Sequence, residues 1–144
     1  MVRLNIGAGK RNPQPGYLAL DSNLAMRPDI VARVPPIPVA DGSCETIYCS
    51  HLIEHLTNED ASALIAEMWR VLAMGGATQI IAPNALTQAA YQDPTHRSYW
   101  VPERFRYYTP VYRYLGYDLE TRFELVRPWT HGTDVAATPR KVAA

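Results

Sequence analysis

The junction at residues 4–9 constrains this chain more than any other feature. Leu4-Asn5-Ile6 continues the apolar and polar alternation begun by Val2-Arg3 and then meets Gly7-Ala8-Gly9, so a strand runs straight into a glycine turn. Lys10-Arg11-Asn12-Pro13-Gln14-Pro15-Gly16 carries too much proline and glycine for more than one helical turn. Tyr17-Leu18-Ala19-Leu20 is then a second strand closed by Asp21, Ile30-Val31-Ala32 a third, and Thr46-Ile47-Tyr48-Cys49 a fourth. The proline-rich loop Pro35-Pro36-Ile37-Pro38 and the turn Asp41-Gly42-Ser43 separate the last two. One strong helix follows. Thr57-Asn58-Glu59-Asp60 is a capping box, Ala61, Leu64, Ile65, Met68 and Leu72 recur at helical spacing, and Gly75-Gly76 is expected to end it. A fifth strand is expected over 78–82, short helices over 85–91 and 102–114, and a sixth strand over 119–126. Residues 131–144 have no period and read as a loose tail.

Short strands alternating with helices or crossover loops form an open α/β sheet, mostly parallel, with flanking helices. Ligands in such sheets bind beyond the carboxyl ends of the strands. That places attention on Gly7, Ala8, Gly9, Asp21, Arg33, Cys49, Ser50, His51 and Asn84. A length of 144 residues allows one domain, expected over 1–130, and 47% apolar residues exclude a disordered chain. Cys44 and Cys49 lie too close to staple a fold and are expected to be free thiols. With no apolar run near the roughly 18 residues of a membrane span and no signal-like leader, a cytoplasmic protein is expected.

The net charge of zero conceals a division. Residues 1–95 carry three more acidic than basic side chains, whereas residues 96–144 carry three more basic than acidic. Residues 91–129 hold eleven of the fourteen aromatic side chains. The neutral total and the absence of a basic run disfavour nucleic acid as a partner.

A Gly-x-Gly turn lets a ligand approach the backbone closely, and an acid ending the next strand can accept from both ribose hydroxyls. Gly7, Gly9 and Asp21 therefore suit an adenosine-containing cofactor. A dinucleotide is disfavoured, because Asn12 stands where a third glycine is required and no proper helix follows to receive a pyrophosphate.

Taken in order, Leu4-Asn5-Ile6-Gly7-Ala8-Gly9, Leu20-Asp21, Asp41-Gly42-Ser43, Ser50-His51-Leu52-Ile53-Glu54-His55-Leu56, Glu67-Met68-Trp69-Arg70-Val71-Leu72 and Ala82-Pro83-Asn84 resemble the class I S-adenosylmethionine-dependent methyltransferases. The likeness is to the small type 11 group and spans about 4–84, with Asp93-Pro94-Thr95-His96 and Gly116-Tyr117 also similar. It implies a minimal Rossmann-like domain in which 4–84 bind S-adenosylmethionine and 85–130 choose a small-molecule or glycan-like acceptor. Cofactor contacts are implied for Asn5, Gly7, Ala8, Gly9, Asp21, Arg33, Val34, Ser50 and His51. His51 and His96 are the candidate general bases.

Three departures from the family pattern bear on that expectation. Asn5 stands where an acid is common, Arg11 takes the place of a third glycine, and Arg33 replaces an aspartate that accepts from the adenine amino group. Arginine cannot accept a hydrogen bond, so the adenine contact is expected to be altered or supplied by backbone near Val34. A degenerate relative serving as an interaction module is the alternative. Helix material before the first strand is missing, so the lid over the cofactor is expected to come from elsewhere in the chain, from a partner such as a second copy of this one, or not at all.

His51-Leu52-Ile53-Glu54-His55 also matches the His-x-x-Glu-His pattern of inverted zinc proteases. That motif needs a helix, and here it falls in a strand-to-helix turn with no clear third ligand downstream. A metal-dependent hydrolase and a Cys49, His51, His55 metal site are accordingly disfavoured, and no metal is expected. Glu54 and His55 are expected to brace the turn.

Overall fold

The computed structural model describes residues 1–10, 14–110, 121 and 123–143, with the backbone alone at Arg127. Its strands are β1 (Val2–Ile6), β2 (Leu18–Asp21), β3 (Ile30–Val31), β4 (Cys44–Ser50), β5 (Leu72–Pro83), β6 (Phe123–His131) and β7 (Asp134–Lys141). Among the described residues the sheet has seven strands in the order β3-β2-β1-β4-β5-β7-β6. Strands β1 to β5 pair parallel, and β7 runs antiparallel to both β5 and β6. This is the open, mostly parallel α/β sheet expected. Chain order reverses beside β1, whose neighbours are β2 and β4, so a crevice opens there at the carboxyl ends.

Helix α1 (Asn58–Val71) starts where the capping box places it, with Thr57 Oγ1 accepting from the Asp60 N–H at 3.2 Å. Ala61, Leu64, Ile65, Met68 and Val71 face inward and join Leu4, Ile6, Leu20, Ile47, Cys49 and Ile80 in one continuous core. The core extends to Trp100, Phe105 and Phe123. Cys44 and Cys49 are buried and free, and burial pushes the Cys49 thiol far above its ordinary range.

The helix does not end at the glycine pair. It passes directly into β5 at Leu72, with Gly75 and Gly76 inside the strand where the pairing with β4 shifts register. Gly75 has φ of +80°, and a side chain on Gly76 would meet the carbonyl oxygens of Ala73 and Glu45 at 2.9 Å. The pair is therefore a strand irregularity fitted to close backbone approach.

Past β5 the structure departs further from the sequence expectations. Residues 88–90 and 102–108 form 3-10 turns where short helices were expected, and the rest of the expected 102–114 helix beyond Pro110 lies outside the described residues. Strand β6 begins at Phe123, while residues 119, 120 and 122 of the expected strand also lie outside them. The tail expected to be loose is instead β7, an interior strand of the sheet, so the domain does not stop at residue 130. Its Val135, Ala136, Ala137, Pro139 and Lys141 are buried, an apolar content that the intervening Thr138 and the proline obscure in the sequence.

One polar cluster holds the 37–41 loop against α1. The Arg70 guanidinium donates to the carbonyls of Val39 at 3.1 Å and Ile37 at 2.9 Å and pairs with Glu67 and Asp41. Glu67 in turn accepts from the Ile37 N–H at 2.8 Å. The Arg70 hydrogen bond, and then the Ile37 N–H, hold the Glu67 carboxyl below its ordinary value against the opposing effect of burial. A depressed carboxyl stabilises the fold above its unfolded value, about 4.5, and that stabilisation is lost as pH falls through the lower folded value. Glu67→Gln is expected to cost about 1–2 kcal/mol at pH 7 and to flatten the fall in stability below about pH 4.5. Urea unfolding at a series of pH values measures both, and an acid limb as steep as wild type would exclude this role for Glu67.

Candidate functional site

Two adjoining clefts share Gly7 at the carboxyl ends of β1, β2 and β4. The first, about 320 Å³, is walled by Asp21, Arg33 and Val34 together with Leu52, Asp60 and Arg97. The second is lined by Gly7, Ala8, Gly9 and Lys10 on the first turn, Met26, and Ser50 and His51 at the end of β4.

The glycine turn takes its shape from backbone that other residues adopt with difficulty. Gly7 has φ of +68° and Gly9 φ of +51°. A side chain on Gly7 would lie 3.0 Å from the Leu52 Cβ, so the strand end and the turn after β4 close against each other only with glycine there. Asp21 locks the turn from the neighbouring strand. Its Oδ2 accepts from the Gly9 N–H at 2.9 Å, and its Oδ1 accepts from the Asn23 N–H at 2.8 Å. A carboxylate accepts about four hydrogen bonds, so capacity remains on each oxygen for a ligand in the cleft.

His51 has φ of +55°, a left-handed conformation that costs a non-glycine residue energy and is kept only where its surroundings demand it. Its N–H donates to the Ile81 carbonyl at 2.9 Å. The ring lies between two carboxylates, with Nδ1 at 3.3 Å from Glu54 Oε1 and Nε2 at 3.3 Å from Asp134 Oδ2. The Glu54 hydrogen bond, and then the charges of Glu54 and Asp134, raise the His51 pKa despite partial burial.

The residues singled out from the sequence thus fall into three places. Gly7, Asp21, Arg33 and Val34 share the first cleft; Gly7, Ala8, Gly9, Ser50 and His51 share the second. Asn5 is buried within β1 between Ala19 and Tyr48 and walls neither cleft. His96 walls neither cleft and lies against His55, with ring centroids 5.0 Å apart. Sequence reasoning missed Asp60 and Arg97 in the first cleft and Asp134 beside His51. Asp60 was legible as a helix first-turn acid; Asp134 carried no signal, because it opens the strand expected to be a loose tail.

A family described as a methyltransferase domain matches residues 11–80. No curated protein sequence matches the chain. Among solved structures, it is similar to an S-adenosylmethionine-dependent methyltransferase of Archaeoglobus fulgidus at 17% identity and a TM-score of 0.66, covering 96% of this chain and 85% of that one. It is also similar to a complex of the Haloferax volcanii Trm112 methyltransferase activator with a methyltransferase, at 10% identity and a TM-score of 0.70, covering 99% and 82%. A third is the Burkholderia thailandensis 1,6-didemethyltoxoflavin-N1-methyltransferase with bound 1,6-didemethyltoxoflavin and S-adenosylhomocysteine, at 15% identity and a TM-score of 0.65, covering 99% and 71%. Among the described residues no helix is long and apolar enough to cross a membrane. The chain thus has the fold of the S-adenosylmethionine-dependent methyltransferases and is similar to a methyltransferase domain over residues 11–80.

Proposed function

We propose that this chain transfers a methyl group from S-adenosylmethionine to a small-molecule or glycan-like acceptor, with the adenosine in the first cleft and the reacting end beside Ser50 and His51. The observation that carries the reading is Asp21, whose carboxylate braces the Gly9 turn and still has accepting capacity toward the cleft walled by Arg33 and Val34. When bound, S-adenosylmethionine supplies a sulfonium methyl for in-line displacement. The protein's part is then mainly to bind, align and exclude water.

In this reading Asp21 accepts from the ribose hydroxyls, and Gly7, Ala8 and Gly9 let the amino-acid portion approach the backbone. The adenine contact falls to backbone near Val34, because the Arg33 guanidinium only donates. Ser50 and His51, at the end of β4, face the second cleft, where an acceptor would meet the methyl group. Both ring nitrogens of His51 are engaged by carboxylates, which suits holding and orienting an acceptor. Exposed Tyr91 and Tyr99 stack with ring centroids 4.9 Å apart and offer a face for a sugar or flat ring. The acceptor-bound Burkholderia relative supports a small molecule in this role.

Calorimetric titration with S-adenosylhomocysteine is expected to give a 1:1 complex, and incubation with methyl-labelled cofactor and a panel of hydroxyl- and amine-bearing acceptors to give labelled product. His51→Ala is expected to lower kcat roughly 10- to 100-fold with little change in cofactor affinity. No binding near millimolar ligand would sink the reading, and labelled product from His51→Ala at the wild-type rate would remove His51 from it.

A further inference from the structure

We propose that Glu54, His55 and His96 form a binding site for a first-row divalent cation, with both histidines ligating through Nε2. The sequence suggested no third ligand for this turn, but the chain returns His96 to it from the segment after β5. One ligand atom from each of the three residues lies within 4.8 Å of the others. A tetrahedral site with bonds of about 2.1 Å separates its ligand atoms by roughly 3.4 Å, so side-chain adjustments of about an ångström close the set.

The hydrogen bonds around the cluster decide which atoms it presents. His96 Nδ1 lies 2.8 Å from the Ala90 carbonyl oxygen, which only accepts, so Nδ1 carries the proton and the neutral ring shows a lone pair at Nε2. His55 Nδ1 lies 3.0 Å from Thr95 Oγ1, and that hydroxyl spends its proton on Asp93 Oδ1 at 2.7 Å. Thr95 must therefore accept from His55, which leaves a second lone pair at His55 Nε2, 4.0 Å from Glu54 Oε1. Carbonyl and carboxylate-backed partners on Nδ1 are the outer contacts that orient metal-binding histidines.

Glu54 provides the independent sign of a missing ligand. The residue is 2% exposed, and its buried Oε2 has no hydrogen-bond partner. Two nitrogen lone pairs and a carboxylate thus converge; Glu54 Oε1 already takes the His51 Nδ1 contact at 3.3 Å, and the unpartnered Oε2 is what a cation would satisfy. Two histidines and one carboxylate suit zinc, manganese, iron(II) or cobalt(II) and leave positions for water or a ligand oxygen. Asp93 Oδ2, 3.6 Å from His96 Nε2, is a further oxygen within reach.

The site does not rest on methyl transfer and is tested separately. Chelator-treated protein titrated with Zn2+ by calorimetry, and with Co2+ by visible absorption, is expected to bind one equivalent. The affinity should fall about 100-fold in His55→Ala, His96→Ala and Glu54→Gln. His131→Ala, an exposed histidine on β6, should bind as wild type. Circular dichroism and melting of each metal-free variant establish that it folds. Should His96→Ala fail to fold, His96→Gln, which can still donate to the Ala90 carbonyl, must show the same loss. Failure of folded wild type to bind either ion at equimolar concentration, or retention of full affinity without His55 and His96, overturns the proposal. S-adenosylhomocysteine titration of the metal-free protein reads the methyltransferase site independently, so either conclusion can fail without the other.

Discussion

Replacing Asp21 with alanine is expected to weaken S-adenosylhomocysteine binding by at least roughly 100-fold while leaving a folded protein. The carboxylate does two jobs. It holds the Gly9 turn and the 21–23 turn through backbone N–H groups at 2.9 and 2.8 Å, and it presents unused acceptor capacity to the cleft. Hydrogen bonds to an ionised group contribute about 1.5–3 kcal/mol each, so two ribose contacts correspond to about 3 kcal/mol at the low end, or two decades in affinity. Loss of the turn brace adds to this by letting the Gly7 and Gly9 backbone relax. Asp21→Asn separates the contributions, because its carbonyl oxygen retains one acceptor position without the charge, and it should fall between wild type and Asp21→Ala. Calorimetry measures the affinities and thermal melting confirms the fold; equal affinity for all three proteins would mean that the cofactor is not read by this carboxylate.

Legibility in the sequence followed the physical range of the interactions. Strands β1 to β4 and the start of α1 were readable because local features define them: alternation, glycine turns and the Thr57 cap. Gly75-Gly76 misled because a glycine pair suits both a helix end and a strand irregularity, and only contact with the Glu45 carbonyl of β4 decides between them. The first cleft was readable in the same measure. Gly7, Asp21, Arg33 and Val34 sit at strand ends, where open parallel sheets place their ligand sites. Asp134 and the partnership of His96 with His55 depend on returns of the chain across 40 or more residues, and no local pattern encodes them. Asn5, read from its motif position as a ligand contact, is buried within β1, where two strands flank it, and lines neither cleft.

Ending the chain after Gly132 is expected to abolish cooperative folding, although the removed residues look dispensable in the sequence. They form β7, which pairs with β5 through Ala77, Ile80, Ile81, Ala82 and Pro83 on one side and with β6 along its length on the other. Without it, among the described residues, β5 becomes an exposed edge and β6 loses its one strand neighbour. Val135 and Ala137 are fully buried, and the Lys141 Nζ, 2.8 Å from the Leu72 carbonyl and 4.3 Å from the Trp69 ring centroid, ties β7 to the helix-to-strand junction. A domain of this size is stable by about 5–15 kcal/mol, and loss of an interior strand with its apolar contacts exceeds that margin. The truncated chain should show no sigmoidal melting transition, whereas deleting only residues 142–144, beyond β7, should move Tm by no more than about a few degrees. A cooperative transition near the wild-type temperature in the chain ending at Gly132 would refute the central placement of β7. The point variant Asp134→Asn completes the test, because it leaves β7 in the sheet while weakening one of the two carboxylate contacts on His51. If β7 serves both fold and site, Asp134→Asn should melt close to wild type yet turn over more slowly, which locates the chemical part of the strand in its first residue and the structural part in the seven that follow.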